Sequence, residues 1–183
     1  MSALLLTQAA LAQGFSSVSS GAPAVANATV SESSLPGSPA SFEQADKVVV
    51  RKGERRLYLL RQERVIAEYP VRLGLNPYGP KKMEGDFRTP EGRYRLVRRN
   101  PRSDFFLSIQ VSYPSAEDSA VAKEAGFAPG GAIMIHGQPN VPRKSPEFYA
   151  SRDWTDGCIA LSNADMIDVW LRTDLGIPIE ILP

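Results

Sequence analysis

Short apolar runs separated by polar turns dominate the chain from residue 46 onward. These runs alternate apolar with polar positions or are rich in β-branched residues, and they occupy residues 47–51, 56–60, 65–73, 94–97, 105–111 and 132–137. Runs at roughly ten-residue spacing are typical of an antiparallel sheet or barrel. The pattern predicts a mainly β domain. A last run at 177–181 is expected to form an edge strand, because Pro178 is tolerated there.

Two stretches have the pattern of helices. The first, from Ser115 to Ala125, opens with a Ser and an Asp at capping-box spacing and stops before a glycine. The second opens at Ser162 with the same spacing, carries apolar residues at helical period and stops at Gly176. We therefore expect one or two short helices beside the sheet.

The first 45 residues differ in composition from the rest of the chain. Residues 1–12 form an apolar leader that ends in small residues, which predicts a signal peptide; the alternative is a leader without a function. The apolar run is too short to span a bilayer, so no stable membrane span is expected. Residues 13–45 are rich in Ser, Ala and Pro and predict a disordered linker. The domain itself is then expected over residues 46–183.

Charge and residue counts exclude several classes of function. Lys and Arg total 21 against 20 Asp and Glu, which gives no basic excess for binding nucleic acid. The chain has one histidine and one cysteine. These counts argue against a zinc site, an intrachain disulfide and haem or iron–sulfur ligation. What remains is one free thiol, and no metal or organic cofactor is expected.

The single histidine and the single cysteine lie in segments that can meet. His136 ends an apolar run, and Cys158 follows Gly157 in a turn before the second helix. A strand end and such a turn can converge at one rim of a sheet. A cysteine attacks as its thiolate, and a nearby imidazole can take the thiol proton. A buried structural Cys and a structural His are the alternative interpretation, which the residue types alone leave open.

The sequence context of both residues resembles a known family. Ile-Met-Ile-His136-Gly, followed by Thr155-Asp-Gly-Cys158-Ile-Ala-Leu, resembles the signature of the YkuD-type L,D-transpeptidase catalytic domain. The upstream segments 79–81, Gly-Pro-Lys, and 89–92, Thr-Pro-Glu-Gly, resemble two further segments of this family. The similarity extends from Lys47 to Leu182. It implies an L,D-transpeptidase-type β-sandwich, in agreement with the strand pattern.

The resemblance also implies roles for residues at the site. Cys158 would be the nucleophile and His136 the general acid and base, with the Gly137 backbone carbonyl orienting the imidazole. The backbone N–H groups of Gly157 and Cys158 are candidate oxyanion donors. The candidate substrate-binding residues are Thr155, Asp156, Lys81, Lys82 and Arg88. For the three basic residues, the alternative is a solvated loop between Gly74 and Gly92.

Two positions depart from the family pattern. Asp156 stands where a histidine is usual, and Ala160 stands where Arg or Asn is usual. An acid near a thiol should raise the thiol pKa unless it points away. The alternative role for Asp156 is to bond the backbone of its own turn. Both departures are similar to a Gly-Cys-x-Ala branch of the family, in which some members hydrolyse links between peptidoglycan and a lipoprotein.

The expected function is therefore that of an exported acyltransferase of the periplasm or cell envelope. By the resemblance, a Cys158 thioester would join peptidoglycan stem peptides to one another or to a protein lysine. Hydrolysis of such links, with a wall-attached lipoprotein as partner, is an alternative. Alternatives of other classes are an inactive peptidoglycan-binding module and a redox-responsive thiol protein.

Overall fold

The structure, a computed structural model, describes residues 43–183. The predicted leader, residues 1–12, and residues 13–42 of the predicted linker lie outside the described residues. Ala45 is already part of the fold: it is buried, and its N–H donates to the Arg172 carbonyl at 2.7 Å. None of the helices in this described part is long and apolar enough to cross a membrane.

Eight strands form one hydrogen-bonded sheet in the described part of the chain, and the mainly β prediction is confirmed. The strands are β1 (Lys47–Arg51), β2 (Arg56–Arg61), β3 (Arg64–Pro70), β4 (Gly92–Ser103), β5 (Phe106–Val111), β6 (Met134–His136), β7 (Ile159–Ala160) and β8 (Pro178–Leu182). Their order across the sheet is β3-β2-β1-β8-β4-β5-β6-β7. Most neighbours are antiparallel, but β1 with β8 and β6 with β7 are parallel.

The C-terminal strand β8 is central, so the expectation of an edge strand is wrong. It pairs with β1 on one side and with β4 on the other. Pro178 is compatible with this place because it is the first residue of the strand, where its missing N–H removes little from the ladder. The residues that follow it, Ile179 and Ile181, are buried in the core.

Three short helices accompany the sheet: α1 (Ala116–Glu124), α2 (Pro146–Ser151) and α3 (Asn163–Arg172). The first and third are the predicted helices, and their N-caps are Ser115 and Ser162. Met166 and Val169 of α3 are fully buried in the hydrophobic core. Helix α2 was not predicted, because six residues are too few to show helical periodicity.

A long loop between β3 and β4 is fixed to the sheet by a buried lysine. Lys52 is 2% exposed and lies in the turn after β1. Its Nζ donates to the carbonyls of Gly79 and Thr89 at 2.7 and 2.8 Å and to Glu91 at 2.9 Å. Burial lowers the pKa of this ammonium, and Glu91 partly compensates. The loop is therefore an ordered part of the domain.

Candidate active site

Parallel pairing of β6 with β7 brings the segments of His136 and Cys158 together. Ile135 pairs with Ile159 and His136 with Ala160. Cys158 directly precedes β7, so this register sets it beside Met134, whose N–H lies 3.4 Å from the Cys158 Sγ. The two residues are 22 positions apart in sequence, yet His136 ends β6 and Cys158 comes just before the neighbouring strand β7, beside Met134.

The Cys158 thiol is half-buried, and its polar contacts are with strand β6 and with the residues that precede β6. Besides the Met134 N–H, the Sγ lies 3.6 Å from the Ala132 carbonyl, to which the thiol can donate. Within residues 43–183 no hydrogen bond joins this sulfur to the imidazole of His136. Catalytic hydrogen bonds are often long in free enzymes and shorten when substrate binds. The direct pairing of the two groups therefore stays a prediction.

The imidazole of His136 is buried and held in one orientation. Its Nδ1 lies 2.7 Å from the Gly137 carbonyl, so a neutral ring donates from Nδ1 and keeps Nε2 as an acceptor. The ring packs against Phe105 and Trp154, with centroids 4.8 and 5.6 Å away. Burial lowers the pKa of His136 to about 4, although the hydrogen bond to Gly137 opposes this shift. The imidazole is thus neutral at physiological pH.

The turn that carries Cys158 is shaped by Thr155 and Gly157. The Thr155 hydroxyl donates to the Cys158 carbonyl at 2.7 Å and accepts from the Gly157 N–H at 3.2 Å. Gly157 has a φ of +127°, and a Cβ there would lie 2.6 Å from the Arg88 carbonyl oxygen, so this position requires glycine. These contacts engage the Gly157 N–H. The Cys158 N–H, which does not bond to the Thr155 hydroxyl, is then the better candidate oxyanion donor.

The groups around the thiol shift its pKa in opposite directions. Burial raises the pKa of Cys158, and the nearby Asp156 carboxylate raises it further. The Met134 N–H and the Lys81 ammonium act in the opposite direction. Asp156 is exposed, and its carboxylate accepts no hydrogen bond from the described residues. The side chain that bonds the backbone of this turn is therefore Thr155 and not Asp156.

The other predicted substrate-binding residues occupy different positions in the loop. Lys81 is buried and pairs with Asp86 at 2.6 Å, so its ammonium shapes the loop beside the thiol. Lys82 is exposed, and its backbone N–H donates to Asp86. Arg88 is half-buried and donates to the Pro80 carbonyl at 3.3 Å. The buried Thr155 has its hydroxyl directed into its own turn, away from solvent.

Some residues of the site could not be recognised in the sequence. Phe105 contacts the imidazole from the turn between β4 and β5, and Lys52 orders the loop from the turn after β1. A phenylalanine in an apolar run and a lysine before a glycine turn carry no signal for these roles. Among residues 43–183, no group of three or more His, Cys, Asp or Glu is arranged to hold a metal ion.

This mostly β domain has a thiol just before one strand and an oriented imidazole at the end of the parallel strand beside it, an arrangement that fits a cysteine acyl-transfer site. Comparison with known proteins gives the family. The chain belongs to the YkuD family of L,D-transpeptidase catalytic domains, whose family model matches residues 45–181. The recognition made from the two motif segments is thereby confirmed.

The individual relatives are distant. YafK, a candidate L,D-transpeptidase of Escherichia coli K12, is 31% identical over 109 residues, which are 56% of this chain and 40% of YafK. The helical cell shape determining protein Pgp2 from Campylobacter jejuni is 29% identical, with a TM-score of 0.55 over 74% of this chain and 46% of Pgp2. Bd1075 from Bdellovibrio bacteriovorus is 27% identical, with a TM-score of 0.51, covering 77% and 48%. This chain spans less than half of each relative.

Proposed function

We propose that this domain is a cysteine acyltransferase of the bacterial envelope that acts on peptidoglycan stem peptides. Cys158 attacks the amide carbonyl of the diamino acid at the third stem position, and the bond to the terminal D-alanine breaks. An amine of another stem, or of a protein lysine, then takes the acyl group. The family membership supports the reaction class, and the cell-shape protein among the relatives supports a role in the wall.

Proton transfer in this scheme passes through His136. Its Nε2 takes the thiol proton as the carbon–sulfur bond forms and gives it to the departing amine. The incoming amine returns a proton to the imidazole when it attacks the thioester, and the thiol is regenerated as the new amide forms. The neutral imidazole suits this cycle because it accepts a proton at the start.

The observation that carries the proposal is the place of Cys158 directly before β7, next to the strand that ends in His136. The Gly137 carbonyl fixes the ring, and Gly157 allows the turn that presents the thiol. An inactive binding module has no need of an oriented neutral imidazole beside a half-buried thiol.

Hydrolysis of the same thioester is a second candidate. It is favoured by the exposed Asp156 carboxylate, which is close enough to the thiol to raise its pKa and has no hydrogen-bond partner among the described residues. A free carboxylate at this place can accept a proton from an attacking water. Release of a wall-attached lipoprotein or shortening of the stems is the expected result.

Incubation of the full chain with purified sacculi, followed by mass spectrometry of the muropeptides, tests both candidates. New amide cross-links between third-position residues indicate transpeptidation, and shortened stems or released lipoprotein indicate hydrolysis. A thioester on Cys158, seen in the intact protein mass, is expected in either case.

Two variants serve as controls in this experiment. Cys158→Ala should abolish every change, and His136→Gln should slow acylation by at least about a hundredfold, a typical contribution of general base catalysis. Identical muropeptide profiles for the wild type and Cys158→Ala across sacculi of different composition would refute the enzymatic proposal.

A further inference from the structure

A cavity of about 700 Å³ lies beside the candidate active site, and none of its lining residues has yet been given a role in the reaction. Gln138 and Ala160 line it, and each lies two residues beyond a reacting residue, His136 or Cys158. Tyr149 lines it as well and packs on Trp154, which in turn packs on His136. These ring contacts place the cavity close to the site, although neither Cys158 nor His136 lines it.

Arg72 reaches this cavity from the strand position opposite Ala160. The two residues form an antiparallel bridge, with the Arg72 N–H donating to the Ala160 carbonyl at 2.9 Å and the reverse bond at 2.8 Å. Residues directly opposite in such a pair have side chains on the same face. Both line the cavity, and Ala160 contributes only a methyl group to its wall.

The guanidinium of Arg72 is half-buried without a counter-ion. Its two terminal nitrogens donate to the carbonyls of Val71 and Ala150, which uses two of the five N–H groups that an arginine carries. The Nε is buried and has no partner, and no carboxylate of the described residues lies within salt-bridge distance. A charge kept from water in this way is compensated well by a bound anion.

The rest of the lining indicates what kind of molecule fits. Lys144 adds a second cation, and Asp165 is the one acidic residue among the lining residues. Helix α3 begins at Asn163, which also lines the cavity, so the positive end of its dipole faces the same space. Most of the remaining wall is apolar and includes four prolines and Tyr149. The cavity thus combines two cationic side chains with a mostly apolar wall.

We infer that Arg72 binds a free carboxylate of the substrate peptide, close to the amide that Cys158 attacks. This inference rests on the proposed function, because it takes the ligand to be the peptide that reacts. Two carboxylates of a stem peptide have the right chemistry: the C-terminal one and the one on the side chain of the diamino acid. In either case Arg72 selects the substrate and positions the scissile amide.

Binding to an unreactive variant tests the inference without relying on turnover. The Cys158→Ala chain is titrated calorimetrically with three peptides. The parent is a tetrapeptide that ends in the diamino acid and D-alanine. The first altered peptide has a C-terminal amide in place of the carboxylate, and the second has lysine in place of the diamino acid and so lacks the side-chain carboxylate. One of the two altered peptides should bind at least about tenfold more weakly, because a charge-assisted contact is lost. The altered peptide that does so identifies the carboxylate.

Variants of Arg72 make the test specific. Added to Cys158→Ala, Arg72→Gln should lower the affinity for the parent peptide about tenfold. The parent and the altered peptide should then bind with equal affinity. Arg72→Lys should restore part of the lost affinity. The matched control is Arg98→Gln, because Arg98 is exposed and lies outside the cavity lining. Thermal unfolding shows whether each variant is folded.

Several results would overturn the inference: no binding of any of the peptides, equal affinity for all three, or an unchanged affinity in folded Arg72→Gln. If Arg72→Gln does not fold, Arg72→Lys takes its place, and an unchanged affinity for the three peptides in that folded variant would likewise overturn the inference. Arg72-dependent binding by a protein that leaves sacculi unchanged would refute acyl transfer but keep this binding site. Equal turnover of sacculi by the wild type and Arg72→Gln would refute the binding site but keep acyl transfer.

Discussion

At the scale of single residues, His136 combines an acceptor nitrogen with a strongly lowered pKa. The ring is 4% exposed, and burial lowers its pKa to about 4. An unfolded chain binds a proton at this residue below about pH 6.5, whereas the folded one does not until near pH 4. The free energy of unfolding therefore decreases as the pH falls from about 6.5 to about 4.

We predict that the free energy of unfolding is about 2 kcal/mol lower at pH 5 than at pH 7, because the unfolded state gains the proton of His136. The chain contains one histidine, so the part of the slope that a His136 variant removes belongs to this residue. Urea unfolding at a series of pH values measures it. His136→Gln should flatten the dependence between pH 5 and 7, and an unchanged slope in this variant contradicts the assignment.

Asp156 sets a second residue-scale property, the reactivity of the thiol. Its carboxylate raises the pKa of Cys158, in addition to the larger effect of burial. Asp156→Asn should therefore lower that pKa and increase the rate of alkylation by iodoacetamide at neutral pH, by about twofold since the charge is exposed. Asp174→Asn, which alters an equally exposed acid, should leave the rate unchanged. A slower reaction in Asp156→Asn would show that the carboxylate does not destabilise the thiolate.

At the scale of elements, the site depends on the contact between the long loop and the turn that carries Cys158. Leu75 donates to the Thr155 carbonyl at 3.0 Å, and Gly74 donates to the Thr89 hydroxyl at 3.2 Å. A Cβ on Gly74 would lie 2.1 Å from the Phe87 carbonyl oxygen. Phe87 belongs to the same loop, and the same Cβ would also lie 3.1 Å from the Gly157 Cα of the turn, so residue 74 must be small for the loop to pack on itself and on the turn.

Gly74→Ala should accordingly destabilise the domain by about 2 kcal/mol and change the reactivity of Cys158, because backbone has to shift. Gly53→Ala is the matched control: its Cβ would meet nothing nearer than 3.6 Å. Urea unfolding and iodoacetamide alkylation measure both effects. Equal stabilities of the two variants would show that the loop can move away at no cost.

The sequence predicted most elements but not all of their relations. Capping residues and helical periodicity are local, so Ser115 and Ser162 mark the starts of α1 and α3 correctly. The two-residue strand β7 and the six-residue helix α2 have no periodicity of their own, and contacts distant in sequence fix them. Pairing partners are equally non-local, which is why the place of β8 was predicted wrongly.

At the scale of the whole molecule, β8 joins the two ends of the domain. It pairs with β1, the first strand, and with β4, from which the sheet continues to the site. Its Ile179 and Ile181 are buried in the core. Removal of this strand leaves unpaired backbone groups and an open core on both sides.

A chain that lacks residues 178–183 should therefore not fold. Loss of an edge strand would expose only one ladder, whereas loss of β8 exposes two. Circular dichroism and proteolysis of the purified truncated chain measure this. Deletion of Pro183 alone, which leaves β8 complete, is the control and should retain a cooperative transition. A folded, protease-resistant chain without β8 would contradict its central role.

The sequence by itself determined the class of the domain and the two residues that are candidates for its chemistry. One cysteine and one histidine, each in a family-like segment, leave no other candidates for a thiol and an imidazole. The tertiary structure decided how their surroundings are built: the Lys52 contacts that hold the loop, the aromatic rings around His136, and the Arg72 guanidinium opposite Ala160, which has no counter-ion among residues 43–183. These features join segments far apart in the chain, and burial and pairing between such segments exist only once the chain has folded.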